Sequence, residues 1–549
     1  MSTLKAGQAT VQSLRDHGVD TIFGIISSHT MEIFDALYDY RDTIRFISSR
    51  HEHAAAMMAD SYARVTGKPG VCLTSTGPGA ANSMGGMGEA YFASSPILNI
   101  TSTAEEPLYE RGLGTIHETK DQLSMFHSVT QSSCHISQPG EVPARIQEAF
   151  QKFQTRRPQP IAIEIPVDIQ GQAAEMELPV PSRAVPPGVD PDLVNQAASL
   201  LLAGKRVGVF AGTGVHRSGA TRELTRLVET LGLPVFTTPN GKGSVAEDNP
   251  LCLGMYGGEY HFPPGELPDP RRGFMNSLDT LLVVGTSLSH FRAKSQGLKQ
   301  PPYLIHLDID PESLDRWYNT SVALVGDAAT VLAQLNSAIG GRTAQLESGF
   351  AGEVRQAREH IAAYKRTTMP NETKVMQAIR RVAARDAIFV GDVSVCVHRG
   401  SNYCLESYGQ RTYMTPAWGG LGFALPAAAG AKAGRPDQQV ICLTGDGGFQ
   451  FNLQELGTCV EYRLNPVVIV FNDNAWGLLR YFQKTRNNGR YIASDLHGPN
   501  FAKLAESYGA NGVQVSSLTE LVAALKSALQ SDTLTVIDVL TPDGFAAFI

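Results

Sequence analysis

Short unbroken apolar runs alternate along this chain with longer stretches whose apolar residues recur at helical spacing. Runs rich in Val, Ile and Leu stand at 71–74, 97–101, 161–165, 207–210, 281–285, 304–309, 388–390, 440–444 and 467–471. A strand that is apolar at nearly every position has both faces covered, whereas a half-exposed strand alternates. Such strands separated by helices predict α/β architecture, in doubly wound units with mainly parallel sheets. Two segments break the pattern. Residues 172–190 are rich in Pro and poor in periodicity and read as a semi-extended tether. Residues 338–372 are polar and partly helical, with no strand. The predicted units are therefore 1–180, 181–345 and 346–549, about three domains for 549 residues. No short-period repeat is visible. The first and third units both carry helix-flanked apolar strands and glycine turns, which marks them as candidate structural relatives.

Composition narrows the function classes. With 42% hydrophobic and 18% charged residues the chain is an ordinary globular protein, and wholesale disorder is excluded. The net charge is −7, and Lys and Arg form no runs, so no nucleic-acid or membrane partner is expected. No apolar run reaches the roughly 18 residues of a membrane span, and the N-terminus lacks a secretory apolar core. Seven cysteines, at 72, 134, 252, 396, 404, 442 and 459, are dispersed with no Cys-x-x-Cys pair. Buried reduced thiols and a cytoplasmic location fit that usage.

The stretch 440–477 carries the chemistry. It parses as a strand, a Gly445-Asp446-Gly447-Gly448 turn, a helix, a second strand and the polar turn Asn472-Asp473-Asn474-Ala475. A right-handed crossover brings both strand ends to one sheet edge, where α/β folds bind ligands. Asp446 and Asp473 then lie on neighbouring loops. Two carboxylates with a backbone carbonyl make a hard oxygen site for Mg²⁺ or Ca²⁺. Gly445, Gly447 and Gly448 let backbone N–H groups approach a phosphate at the start of the following helix. Metal and amides together would hold a diphosphate.

With this block the sequence resembles the thiamine diphosphate enzyme superfamily, whose members share a Gly-Asp-Gly, a helix and an Asn-Asn pair about this far on. One position departs, since Asp473 stands where the family usually has Asn; a carboxylate remains a good ligand for a hard cation. The resemblance implies three domains in the order pyrimidine-binding, central Rossmann-like and diphosphate-binding. It implies thiamine diphosphate and Mg²⁺ as cofactors, with Asp446, Asp473 and the Ala475 carbonyl on the metal and Ser394 among the residues around the cofactor. Glu52, which opens a small-residue helix, matches the cofactor-activating glutamate held against N1′ of the aminopyrimidine. In the loop 414–428, Gly419 matches the residue whose carbonyl meets the 4′-amino group, and Leu421 the apolar wedge that bends the cofactor. Glu52 and Asp446 meet across a subunit interface in this superfamily, which implies a homodimer or homotetramer. The central unit looks Rossmann-like, but the Arg-Phe-Asp-Asp-Arg segment of FAD-binding acetolactate synthases is replaced by Gly285-Thr286-Ser287-Leu288-Ser289-His290-Phe291-Arg292. FAD is not expected.

Three loops bear on substrate. Ser28 matches a serine of benzoylformate decarboxylase, and His29 a histidine that benzaldehyde lyase places over the cofactor. His117 replaces a pocket glutamine of acetolactate synthases. Leu478, Leu479 and Phe482 match positions lining the substrate channel of decarboxylases. Arg111 and Arg480 are further candidates for a carboxylate. An imidazole near the reacting carbon can relay a proton, and an apolar wall suits a short 2-oxo acid or an aldehyde. The resemblance implies an acetolactate synthase-like 2-oxo acid decarboxylase and carboligase, in which a cofactor-bound enamine is protonated or ligated to a second carbonyl compound. The alternatives are an acyloin lyase or ligase of benzaldehyde lyase type and an FAD-containing synthase or oxidase.

Overall fold

A computed structural model describes residues 2–181, 188–257, 269–541 and 548, with the Arg292 side chain excepted. Residues 182–187 of the Pro-rich tether, and the side chain that closes the 285–292 segment, lie outside the described residues.

Three six-stranded parallel sheets, one per unit, form the frame. In the first, the spatial order is Arg45–Ser48, Thr21–Gly24, Gly70–Thr74, Ile97–Thr103, Ile161–Pro166, Ser132–His135. Numbered along the chain this is 2-1-3-4-6-5. The third sheet runs Tyr413–Met414, Ile388–Gly391, Val440–Gly445, Val467–Asn472, Thr535–Leu540, Asn511–Val515, the same 2-1-3-4-6-5 order. The two outer units thus share a topology. The central sheet is Cys252–Met255, Val235–Thr237, Val207–Ala211, Thr280–Val284, Tyr303–Asp308, Val322–Val325, the 3-2-1-4-5-6 order of a dinucleotide-binding fold.

All nine apolar runs named from the sequence are strands, and every one is interior to its sheet. The six edge strands were not among them. An edge strand keeps one side open to solvent, so its sequence is shorter or more polar, as in Ser132–His135. The reading of 172–190 as a tether needs one correction. Ala173–Met176 is a strand that pairs antiparallel with Ser2–Lys5, because those backbone groups find a partner in the N-terminal segment.

The first and third units share a core. Helix Glu52–Thr66 (EHAAAMMADSYARVT) lays its small-residue face on helix Ala424–Gly434 (ALPAAAGAKAG), and both are almost wholly buried. The backbones approach so closely that a Cβ on Gly430 would stand 2.2 Å from the Met58 carbonyl oxygen. Alanines and a glycine are what such an approach requires. The packing fixes Glu52, at the first turn of one helix, relative to the loop that enters the other.

Candidate active site

Strands Val440–Gly445 and Val467–Asn472 are parallel neighbours with Gly445 opposite Phe471, so the turns after them leave the sheet side by side. Asp446 begins the short helix Asp446–Phe449 and is 2% exposed. Its carboxyl lies within hydrogen-bonding reach of the Asp473 carboxyl. Asp473 Oδ1 also accepts the Ala475 N–H at 3.2 Å. Burial first, and then the Asp473 charge, raise the pKa of Asp446 to about 7. Burial likewise raises that of Asp473. Asp446 Oδ2 is buried without a hydrogen-bond partner. A buried acid beside a half-buried one, with one oxygen of the pair lacking a donor, fits a cation site. Among the described residues no three His, Cys, Asp or Glu side chains gather to hold an ion, so a cation here would complete its shell from backbone oxygens and the ligand.

The surroundings of the pair are tightly set. A Cβ on Gly477 would lie 2.2 Å from Asp473 Oδ2, so only glycine admits the carboxylate. Ser394 lies beside Gly445, Asp392 beside Gly448 and the Trp476 ring beside Gly447. Asn472, at the end of its strand, donates to the buried Asp538 at 3.0 Å, which orients the turn carrying Asp473.

Glu52 is half-buried. The N-cap before it is His51, whose Nδ1 accepts the His53 N–H at 3.1 Å, and its own Oε2 accepts Asn82 Nδ2 at 3.0 Å. The loop with Gly419 (φ 96°) and the half-buried Leu421 is pinned at both ends. Glu89, fully buried on helix Pro78–Phe92, accepts the N–H groups of Ala417 and Trp418. Asp392, 1% exposed, accepts those of Gly422 and Ala424 at 3.1 and 3.2 Å, together with the Thr444 hydroxyl at 3.2 Å. Sequence reasoning missed Asn82, Glu89 and Asp392. Glu89 did leave a signal, as the lone charge in a helix otherwise made of Gly, Ala, Met and other uncharged residues. A buried acid there needs donors.

The histidines come together. The His29 and His117 rings stand 4.8 Å apart at 38°, and Ser28 Oγ is 3.4 Å from His29 Nδ1. Burial first, and then the neighbouring His117, lower the pKa of His29. His117 has a positive φ of 61°, and its carbonyl oxygen would meet a Cβ on Gly77 at 2.2 Å. Leu478, Leu479 and Phe482 lie on helix Gly477–Arg486, which leads away from the Asp473 turn, with Leu479 exposed. Arg480 is ion-paired with Asp495, and Arg111 is exposed and bonded to the Pro107 carbonyl at 3.2 Å. A cavity of about 1100 Å³ runs from the C-terminal edge of the central sheet, at Gly214, Gly285 and Asp308, past Arg217 to Trp418 and Gly419.

Three thiamine pyrophosphate enzyme models match the chain: the N-terminal TPP binding domain over residues 4–125, the central domain over 194–335 and the C-terminal TPP binding domain over 390–539. A probable acetolactate synthase large subunit of Methanococcus aeolicus is 31% identical, over 97% of this chain and 92% of its own length. A probable 2-ketoarginine decarboxylase of Pseudomonas aeruginosa is 33% identical, over 98% and 94%. The acetolactate synthase isozyme 3 large subunit of Escherichia coli is 30% identical, over 99% and 96%.

Proposed function

The chain belongs to the thiamine pyrophosphate enzyme family, whose chemistry makes or breaks carbon–carbon bonds, and on that premise we propose that it is an acetolactate synthase-like 2-oxo acid decarboxylase and carboligase. The observation that carries this reading is the Asp446–Asp473 pair, with an unpartnered oxygen on the buried Asp446, at the ends of adjacent parallel strands. In the proposal Asp446, Asp473 and the Ala475 carbonyl hold Mg²⁺. The amides of Gly445, Gly447 and Gly448, with Ser394, face the diphosphate. When bound, thiamine diphosphate supplies a nucleophilic carbon and an electron sink.

The remaining work falls to the chain's own side chains. Glu52 holds a proton at N1′ of the aminopyrimidine. Gly419 accepts from the 4′-amino group through its carbonyl, and Leu421 wedges the two rings together. His29, kept basic-neutral by burial, and His117 move a proton to or from the substrate oxygen, with Ser28 beside them. Leu478, Leu479 and Phe482 form an apolar wall that excludes water. Glu52 bonds to Asn82 of its own unit, and we place it against the Asp446 site of a second copy, in a homodimer or homotetramer. The exposed apolar side chains of Ile26, Leu113 and Ile116 in the first unit, and of Phe451, Leu479 and Ile492 in the third, support such a partner. Among the described residues no helix is long and apolar enough to cross a membrane. Seven free cysteines support a reducing, cytoplasmic compartment.

The deciding experiment follows thiamine diphosphate- and Mg²⁺-dependent CO₂ release over a panel of 2-oxo acids, with product analysis in the presence of aldehydes. Release from none of the panel removes the reading. Glu52→Gln should abolish turnover while calorimetry still detects cofactor binding; retained turnover removes the role of Glu52. Two observations favour second readings. The 1100 Å³ cavity at the central sheet edge is large enough for a nucleotide cofactor, and a yellow absorbance of the purified protein would identify the FAD-containing form. The His29–His117 pair favours acyloin cleavage, which turnover of benzoin or acetoin without CO₂ release would establish.

A further inference from the structure

A second hydrogen-bonded cluster lies behind the His117 loop, among residues given no role above. Its centre is Glu164, fully buried in strand Ile161–Pro166. A carboxylate withdrawn from water needs donors, and Glu164 has two among the side chains around it. His135 Nδ1 is 2.9 Å from Oε1 and Gln122 Nε2 is 3.0 Å from Oε2, and the Tyr109 side chain lies close enough to feel its charge.

The cluster reaches the loop from two sides. On one side the buried Gln122 turns its Oε1 to the Gly77 N–H at 2.8 Å, and Gly77 is the residue against which the His117 carbonyl rests. On the other side His135 Nε2 meets Glu106 Oε2 at 2.6 Å, and Glu106 begins the segment that runs through Tyr109 to His117. The Glu106 N–H is itself held by Asp168 Oδ1 at 2.9 Å. A neutral imidazole has a single N–H and can donate to one carboxylate only. With a carboxylate oxygen at each ring nitrogen, the stable species is the imidazolium, bridging two charge-assisted bonds.

We propose that Glu164 is a positioning residue for the loop carrying His117, acting at Gly77 through Gln122 and at Glu106 through doubly protonated His135, and that the Glu106 half of this tie opens when His135 loses its proton. The groups facing the ring are Glu164 from the sheet, Glu106 from the loop, and Tyr109, whose ring centroid is 4.0 Å away with Glu110 behind it. Burial alone would lower the pKa of His135, but the bonds to Glu164 and Glu106 and their charges outweigh it and raise it above 6.5. The tie is therefore complete below the ordinary histidine range and is lost as pH rises through the raised value. Only its consequence for catalysis rests on the proposed role of His117.

Hydrogen exchange on the full chain, read by mass spectrometry and corrected for the intrinsic pH dependence, tests the tie. In the wild type, backbone protection over residues 105–118 should fall about ten- to hundredfold through a one-proton step above the ordinary histidine range, the weight of a hydrogen bond to a charged group. Glu106→Ala, at a partly exposed position, and His135→Asn should show the loosened level at every pH. A flat wild-type profile, or a step of unchanged size in Glu106→Ala, overturns the proposal. On the active substrate of the panel, kcat/KM of the wild type should fall across the same limb and that of Glu106→Ala should be lowered throughout, because a displaced His117 is a poorer proton relay. A lost exchange step with kcat/KM unmoved keeps the tie and removes His117 from the substrate site, so the two failures are distinct.

Discussion

Glu89→Ala tests how the first unit holds the loop of the third that is proposed to face the cofactor. Glu89 is fully buried, accepts the N–H groups of Ala417 and Trp418, and lies 3.4 Å from Arg64 Nη2. Arg64 keeps its two bonds to Asp60, at 2.9 and 2.5 Å, so its charge stays paired after the substitution. The cost then comes chiefly from two backbone N–H groups left without an acceptor, about 1–3 kcal/mol each. Taken at the middle of that range, with the lost volume and the weakened ion contact as smaller additions, the sum is about 4–5 kcal/mol. For a cooperative unit of roughly 200 residues this is a fall in melting temperature of about 10 °C. Glu89→Gln retains one acceptor oxygen and should lose about half as much. Because Gly419 and Leu421 follow Trp418 directly, the Ala variant should also bind thiamine diphosphate at least about tenfold more weakly, the weight of one buried hydrogen bond. Calorimetric melting and titration read both effects. An Ala variant that melts within about 2 °C of the wild type and binds the cofactor with unchanged affinity refutes the reasoning.

Further predictions concern the proposed metal site and the core. In chelated protein the folded-state pKa of Asp446 stands near 7, above the ordinary 3.8. The contribution of this acid to the stability of the metal-free fold is therefore greatest below the ordinary carboxylate range, and up to about 4 kcal/mol of it is lost as pH rises through 7. Melts with EDTA across that range should show the fall. Mg²⁺ should reverse it and Asp473→Asn should reduce it without abolishing it, because burial is the larger cause; a fall of unchanged size in Asp473→Asn contradicts the part assigned to the Asp473 charge. Gly430→Ala places a methyl 2.2 Å from the Met58 carbonyl oxygen and should lower stability by about 3 kcal/mol or prevent folding. Denaturation of the variant at wild-type urea concentrations would show that the helix pair can part without cost.

Much of this protein was legible in its sequence, and the parts that were share a physical origin. The nine mainly apolar runs became nine interior strands, because a strand paired on both edges and covered on both faces is apolar at most positions. The Gly445-Asp446-Gly447-Gly448 turn and the Asn472-Asp473 turn could be set side by side, because one right-handed crossover of known hand joins two adjacent strands. Local periodicity and local connectivity suffice for such inferences. Edge strands escaped because solvent on one side dilutes their pattern. Glu89 and Asp392 escaped because what they hold lies across a domain gap or tens of residues away in the chain. The pairing of His29 with His117, the seating of His117 against Gly77, and the reach of Glu164 to both were decided only by the tertiary structure. Contacts between segments so far apart are set by the summed packing of whole sheets and helices, and no spacing along the chain records that sum.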